Sequence, residues 1–292
     1  MNAVEPPPPG EGAALVGLST YSFRAGFARG TVTLGRFFDL CGEWGVREVQ
    51  VDPSHYDPRD DGQLALIAAA NDVGEGGLRV SLGSNVPLVA SDDEEREALR
   101  EEFDALFRAC RSVGATLLRC LTGVIPRNRA LPVEEQMPVV LENVALVTEL
   151  ARRAGVVLAF ENHGDLTSGQ LADLVCRVDS PNCRVTLDNG NPWVLFEDPV
   201  AAFERLAPLA AAVHFKDYQV RATGHGFEVT CCELGKGVLD LEAQLAARAR
   251  HCPGAPVYLE VGLPSTRDEE RVVWRSLEHA RDLVTRKIPP SS

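Results

Sequence analysis

Eight short β-rich segments recur along this chain, and their rhythm restricts the fold more than any single residue does. They read "ALVGLST" (14–20), "VREVQVD" (46–52), "LRVSLGS" (78–84), "TLLRCLTG" (116–123), "VVLAFEN" (156–162), "CRVTLDN" (183–189), "AAVHFKD" (211–217) and "PVYLEVG" (256–262). Most are near-continuous apolar runs rather than strict alternations, as expected of parallel strands covered on both faces. Helical patterns fill the intervals. In "DDEEREALREEFDALFRACRSVG" (92–114), Leu99, Phe103, Leu106, Phe107, Cys110 and Val113 share one helix face. Its acidic residues crowd the first turn, where the helix dipole favours anions. "PVVLENVALVTELARRAG" (138–155) repeats the pattern and closes on basic residues and Gly155. Further helices are expected at about 34–44, 63–73, 168–177, 199–209, 240–251 and 268–286.

Strands that return every 27–45 residues with helices between them predict an α/β protein, a single (β/α)8 TIM barrel over 14–287. The 292 residues, 45% of them hydrophobic, suffice for one such domain. A doubly wound open sheet shares the alternation, but "STYSFRAG" stands after the first strand where a glycine-rich phosphate loop would be needed. Residues 1–13, with four consecutive prolines, read as a disordered or extended tail. The polar, small-residue segment 218–239 is expected to form a lid or active-site loop.

Composition narrows the function by exclusion. A formal net charge of −13 with scattered Lys and Arg argues against nucleic acid as a partner. No charge-free apolar run approaches the roughly 20 residues that span a bilayer, so no membrane association is expected. The start, "MNAVEPPPPGEGAA", has neither the basic nor the apolar region of a secretory signal, and a cytoplasmic protein is expected. The eight cysteines include no C-x-x-C pair and read as free thiols; adjacent Cys231 and Cys232 leave a metal or a strained disulfide as the alternative.

In a barrel the C-terminal strand ends converge on one mouth, where such enzymes carry out their chemistry. The fifth strand ends in Glu161, the sixth in Asp188, the seventh carries His214 and the eighth Glu260. Each has an ordinary reading alone: Asp188 as an Asx turn before Asn189-Gly190, the glutamates as rim ion pairs, His214 as a core histidine. Together they would set three carboxylates in mutual repulsion around one opening, which a divalent cation relieves. Three carboxylates and an imidazole suit one ion of Mn²⁺, Mg²⁺, Co²⁺ or Fe²⁺ better than a structural zinc. Mn²⁺ is the preferred assignment, with Zn²⁺ also able to occupy the set.

The fragments "LAFENHG", "VTLDNGN", "VHFKD", "LGKGVLD" and "YLEVG" resemble the xylose isomerase-like sugar phosphate isomerase/epimerase superfamily from about residue 14 to about 285. That superfamily includes ketose 3-epimerases, hydroxypyruvate isomerase, inosose dehydratase, 3-dehydroshikimate dehydratase and, more distantly, endonuclease IV. The resemblance implies Glu161, Asp188, His214 and Glu260 as ligands of one divalent metal, with Glu161 and Glu260 also acting on the substrate carbon. It further implies a dimer or tetramer. Many sugar epimerases of the family have Asp-x-x-His after strand six, whereas this chain has Asp188-Asn189-Gly190-Asn191, and Asn191 cannot titrate near neutral pH. This departure points to a substrate branch such as a keto-cyclitol, a keto-acid or a 3-keto-glycoside.

The expected activity is a divalent-metal-dependent isomerisation or epimerisation of a small carbohydrate or keto-sugar through a metal-stabilised enediolate. The same carbanion could instead expel a β-oxygen, making a lyase or dehydratase the alternative. A sugar-binding protein on the same fold is the non-enzymatic alternative, and a nuclease would need more histidines than six. Candidate substrate-binding residues are His163, Asn191, Lys216, His55 and Trp193, with Asn85 and Arg119 as further candidates and Glu233 in "ELGKG" as a weaker one.

Overall fold

The computed structural model describes residues 16–71, 77–123, 132–263 and 268–285. The expected tail, 1–13, lies outside them, as do 14–15 of the first expected strand, 72–73 of an expected helix and the stretch 286–287. In chain order the strands are β1 (Val16–Ser19), β2 (Glu48–Val51), β3 (Arg79–Gly83), β4 (Leu117–Cys120), β5 (Val157–Glu161), β6 (Cys183–Asp188), β7 (Ala210–Phe215), β8 (Asp217–Thr223), β9 (Gly226–Cys232) and β10 (Val257–Leu259). All but β8 and β9 form one closed barrel in the order β1-β2-β3-β4-β5-β6-β7-β10, with β10 returning to β1. Each neighbouring barrel pair is parallel. This is the (β/α)8 barrel that the alternation predicts.

The helices are α1 (Arg24–Arg29), α2 (Leu34–Glu43), α3 (Asp61–Ala70), α4 (Asp93–Val113), α5 (Val133–Ala154), α6 (Ser168–Val178), α7 (Pro199–Leu206), α8 (Leu241–His251) and α9 (Glu269–Thr285). In α4 the six apolar residues named above are all buried, while Asp92 caps the first turn by accepting from Glu95 N–H. Burying each large side chain of that stripe contributes about 1.5–3 kcal/mol. Helix α6 starts with a reciprocal capping box between Thr167 and Gln170. Helix α5 starts five residues before the expected 138 and carries Pro138 inside it. Among the described residues no helix is long and apolar enough to cross a membrane.

Two other stretches carry structure that the sequence pattern did not assign. The segment 218–239, expected as a lid or active-site loop, is largely an ordered antiparallel ribbon, β8 paired with β9. Asp217 fixes it: its carboxylate accepts N–H bonds from Tyr218 (2.9 Å), Gly235 (3.0 Å), Gly237 (2.8 Å) and Leu239 (3.2 Å). One buried side chain thereby satisfies the backbone where ribbon and return loop meet. The stretch after β1 adds the short helix α1, whose place is held from afar by Glu269, accepting from Ala25 N (3.2 Å) and Gly26 N (2.8 Å).

The barrel interior is polar at both ends. Towards the N-terminal end of the strands, Arg79 Nε donates to Glu48 Oε1 at 2.6 Å, and Ser81 and Tyr258 hydroxyls lie 3.1 Å apart. Gly17 on β1 makes room there, since a Cβ would come within 2.2 Å of Glu48 O. All eight cysteines are free, Cys231 and Cys232 included.

Candidate metal centre

At the opposite end of the interior, Glu161 closes β5, Asp188 closes β6, His214 lies one residue from the end of β7, and Glu260 follows β10. One ligand atom from each lies within 4.8 Å of the others. The four residues are 1, 0, 0 and 5% exposed in that order. His214 Nδ1 sits 3.5 Å from Glu161 Oε1, 3.9 Å from Asp188 Oδ2 and 3.3 Å from Glu260 Oε1. Its other nitrogen, Nε2, lies 2.6 Å from Gln50 Oε1. An amide oxygen only accepts, so Nε2 carries the proton and Nδ1 presents a lone pair to the carboxylates. Among the described residues Nδ1 has no hydrogen-bond partner. A buried lone pair among three carboxylates is costly without a cation, and the O₃N donor set fits a divalent ion. The residues present therefore pass the test for a metal.

Local sequence explains how Asp188 serves two ends. Its Oδ1 accepts from Gly190 N (2.9 Å) and Asn191 N (2.8 Å), forming the Asx turn that "DNGN" suggests. Its Oδ2 faces the cluster, 2.6 Å from Lys216 Nζ in an ion pair, yet off the direction of a hydrogen bond. Asn162 brackets the Asp188 backbone, donating to its carbonyl at 2.9 Å and accepting from its N–H at 2.7 Å. Asn189 repeats this device on Lys216, accepting from its N–H and donating to its carbonyl, both at 2.9 Å. Gly190 is needed because a Cβ would lie 2.5 Å from the Tyr218 ring and 3.2 Å from Lys216 Cγ.

The electrostatics divide the carboxylates. Burial pushes the Glu161 carboxyl up, but the Arg119 guanidinium leads the opposing pull, and the group lies well below the usual range. Arg119 Nε donates to Glu161 Oε2 at 2.5 Å, and its Nη1 donates to Asn85 Oδ1 at 2.7 Å. Asp188 moves the other way: burial raises it, Lys216 opposes, and Glu161 and Glu260 add to the rise. Lys216 Nζ also donates to Glu260 Oε2 at 2.7 Å.

Above the cluster opens a cavity of about 310 Å³. Glu161 and Glu260 line it, and Asp188 and His214 lie beneath. Of the sequence candidates, His163, Asn191, Lys216, Asn85 and Arg119 also line it. Asn191 Nδ2 donates to Glu161 Oε1 at 3.1 Å, so the residue at which the chain departs from the Asp-x-x-His pattern steadies a carboxylate of the quartet. His55 and Trp193 are not in its walls. His55 lines a neighbouring cavity and stacks on Phe27. Trp193 stacks on Tyr218, ring centroids 6.2 Å apart, and faces an outer groove with Phe196 and Phe227. Its indole thus supports a wall residue instead of presenting a face to the cavity. Glu233 is absent from the walls as well.

Sequence reasoning missed Gln50, Asn162, Tyr21, Asp52 and Tyr218. The signal for Gln50 was present: a lone amide inside the apolar run "VREVQVD". Tyr21 and Asp52 reach the cavity from the segments after β1 and β2, where no periodicity marks them, and Tyr218 reaches it from the ribbon, in alternation with Val220 and Ala222.

The chain is 23% identical over 233 residues to the uncharacterized protein YihM of Escherichia coli (strain K12), a match over 78% of this chain and 66% of that protein. It thus spans just under two thirds of the length of that relative. Among solved structures, the probable 3-DHS dehydratase AsbF of Bacillus anthracis superposes with a TM-score of 0.72 at 15% identity, over 91% of this chain and 98% of that one. D-psicose 3-epimerase of Clostridium cellulolyticum H10, determined with D-tagatose, gives 0.72 at 14% identity, over 92% and 99%. At such identities the likeness is one of fold. The family model described as a xylose isomerase-like TIM barrel matches residues 38–283, from α2 into α9, and by that match the chain belongs to this family.

Proposed function

We propose that the protein is a divalent-metal-dependent isomerase or epimerase acting on a small carbohydrate or keto-sugar. The observation that carries this reading is the division of the quartet: two glutamates face one cavity, with Asp188 and the unpartnered His214 Nδ1 beneath them. When bound, the ion, Mn²⁺ by preference, supplies Lewis-acid polarisation of a carbonyl and offsets negative charge on oxygen. Glu161, kept ionised by Arg119, takes the proton from the carbon beside that carbonyl. Glu260, at the other end of the strand arc β5-β6-β7-β10, relays a proton from the Lys216 ammonium that donates to its Oε2 to the opposite face or to the adjacent carbon, leaving Glu161 protonated and Lys216 neutral until solvent resets both. The first outcome is epimerisation and the second isomerisation. His163 and Asn191 hold substrate hydroxyls from the cavity wall.

A second reading, elimination of a β-oxygen, is favoured by Lys216, whose ammonium lies in the cavity wall within reach of a departing oxygen. D-psicose 3-epimerase and AsbF, a probable dehydratase, carry these two reaction classes on the same fold. Deuterium uptake from heavy water by ketoses, inososes, dehydroshikimate and keto-glycosides reports deprotonation, and an unsaturated carbonyl product marks elimination. Glu161→Gln and Glu260→Gln should each abolish exchange, with metal content measured alongside. Full exchange in both variants would refute the reading.

A further inference from the structure

A second cavity, of about 590 Å³, adjoins the first. Tyr21 and Ser54 belong to the walls of both, so the two cavities meet along these residues. Four of its nine lining residues carry rings, Tyr21, Phe27, His55 and Tyr56; the others, Ala28 apart, are polar or charged. These rings are fixed before anything binds. Phe27 and His55 stack with centroids 3.9 Å apart and planes inclined by 14°. His55 Nδ1 lies 2.9 Å from Thr20 Oγ1, and Tyr56 OH donates to Gly83 O at 2.8 Å. The Arg24 guanidinium covers the Tyr21 ring at 5.5 Å and also reaches Leu263 O.

We infer that the substrate is a glycoside of at least two rings, with the reacting keto-sugar at the quartet and its attached ring in the aromatic cavity. This rests on the carbohydrate chemistry proposed above and names its substrate class. The first cavity, at about 310 Å³, accommodates a single sugar ring, so a substituent leaving that ring on the Tyr21 side enters the second. Pre-set aromatic faces bind the flat apolar face of a sugar or an aryl ring without an ordering cost. A phosphate is disfavoured, because Arg24 is already engaged on Tyr21 and Asp57 adds negative charge to the same wall.

The test is calorimetric titration of the full chain with Mn²⁺ present, using methyl, phenyl and glucosyl glycosides of several pyranoses in both anomeric forms. The two-ring compounds should bind about three- to tenfold tighter than the methyl glycosides. Phe27→Ala should erase that gain while leaving methyl glycosides unchanged. Ala28→Trp, which fills the same cavity from an exposed position, should do likewise and covers the case of a misfolded first variant. A gain confined to phenyl glycosides identifies an aryl substituent, and one confined to disaccharides identifies a second sugar. No gain anywhere in the panel, or equal weakening of one-ring and two-ring ligands by both variants, overturns the inference. A two-ring gain that persists without metal-dependent deuterium exchange would sink the proposed reaction and leave the subsite standing.

Discussion

The two polar layers inside the barrel handle buried charge in opposite ways. In the lower layer Glu48 has its cation, Arg79, at hydrogen-bonding distance, and the Tyr258 hydroxyl has Ser81. Arg79 keeps 58% of its side chain in solvent, so only one charge of the pair is fully desolvated. In the upper layer three carboxylates share Lys216 and Arg119, and three buried atoms have no hydrogen-bond partner: Asp188 Oδ2, His214 Nδ1 and Gln50 Nε2. A layer complete in itself stabilises the fold. One that leaves a lone pair and a carboxylate oxygen pointing at the same space is held for something that binds.

The strongest way to break this contrast is Asp188→Asn, which preserves shape and the Asx turn but removes the charge. Affinity for Mn²⁺ should fall by at least about 100-fold, and the rise in Tm that Mn²⁺ gives the unsubstituted chain should disappear. Metal analysis and thermal scans with and without Mn²⁺ read this directly. Unchanged metal affinity would make the upper layer just another charge network. Gln50→Leu is a finer probe, since it removes the group that sets the His214 tautomer and leaves the four ligands in place. Mn²⁺ affinity, followed by electron paramagnetic resonance titration, should drop about 10–100-fold. Wild-type affinity in that variant would show that His214 needs no orientation from Gln50.

The smallest expected effect lies in the lower layer and depends on pH. Burial raises the Glu48 carboxyl above its usual value, against the opposing pull of Arg79. The neutral form is therefore favoured by folding, and its contribution is present at low pH and lost as pH rises through the raised value. Glutamine stays neutral throughout. Glu48→Gln should therefore gain on the unsubstituted chain between pH 4 and pH 7 in urea midpoints, with metal content unaffected. A variant that instead loses stability relative to the unsubstituted chain as pH rises to 7 would show that the Arg79 pair outweighs desolvation.

Much of the site was legible because barrel chemistry is tied to strand ends. Once the eight apolar runs are recognised, Glu161, Asp188, His214 and Glu260 occupy equivalent places without reference to distant contacts. Arg119 was visible, but its side of β4 was not, because four apolar or charged letters do not state which face of a short strand is inward. Trp193 illustrates the opposite limit. Its position just after the Asx turn suggested a sugar platform, yet the short 3₁₀ turn over Asn191–Leu195 carries its ring outward onto Tyr218. The ribbon β8–β9 was overlooked because its strands are largely exposed and form no continuous apolar run, although Tyr218, Val220 and Ala222 and then Phe227, Val229 and Cys231 alternate with other residues at the strand period.

The sequence by itself determined the barrel, the helix limits to within a few residues at most ends, and the four residues that converge at the mouth. These follow from patterns read over a few neighbouring residues: apolar runs, caps and turn formers. Only the tertiary structure decided that His214 turns its lone pair inward, because the group responsible, Gln50, is 164 residues away. It also decided that Tyr21 and Ser54 stand in the walls of two adjacent cavities, because the segments after β1 and β2 that carry them meet only when the barrel closes. Local patterns fix where a side chain stands along its strand. Which atoms face each other across the barrel depends on closure, and closure is a property of all eight strands together.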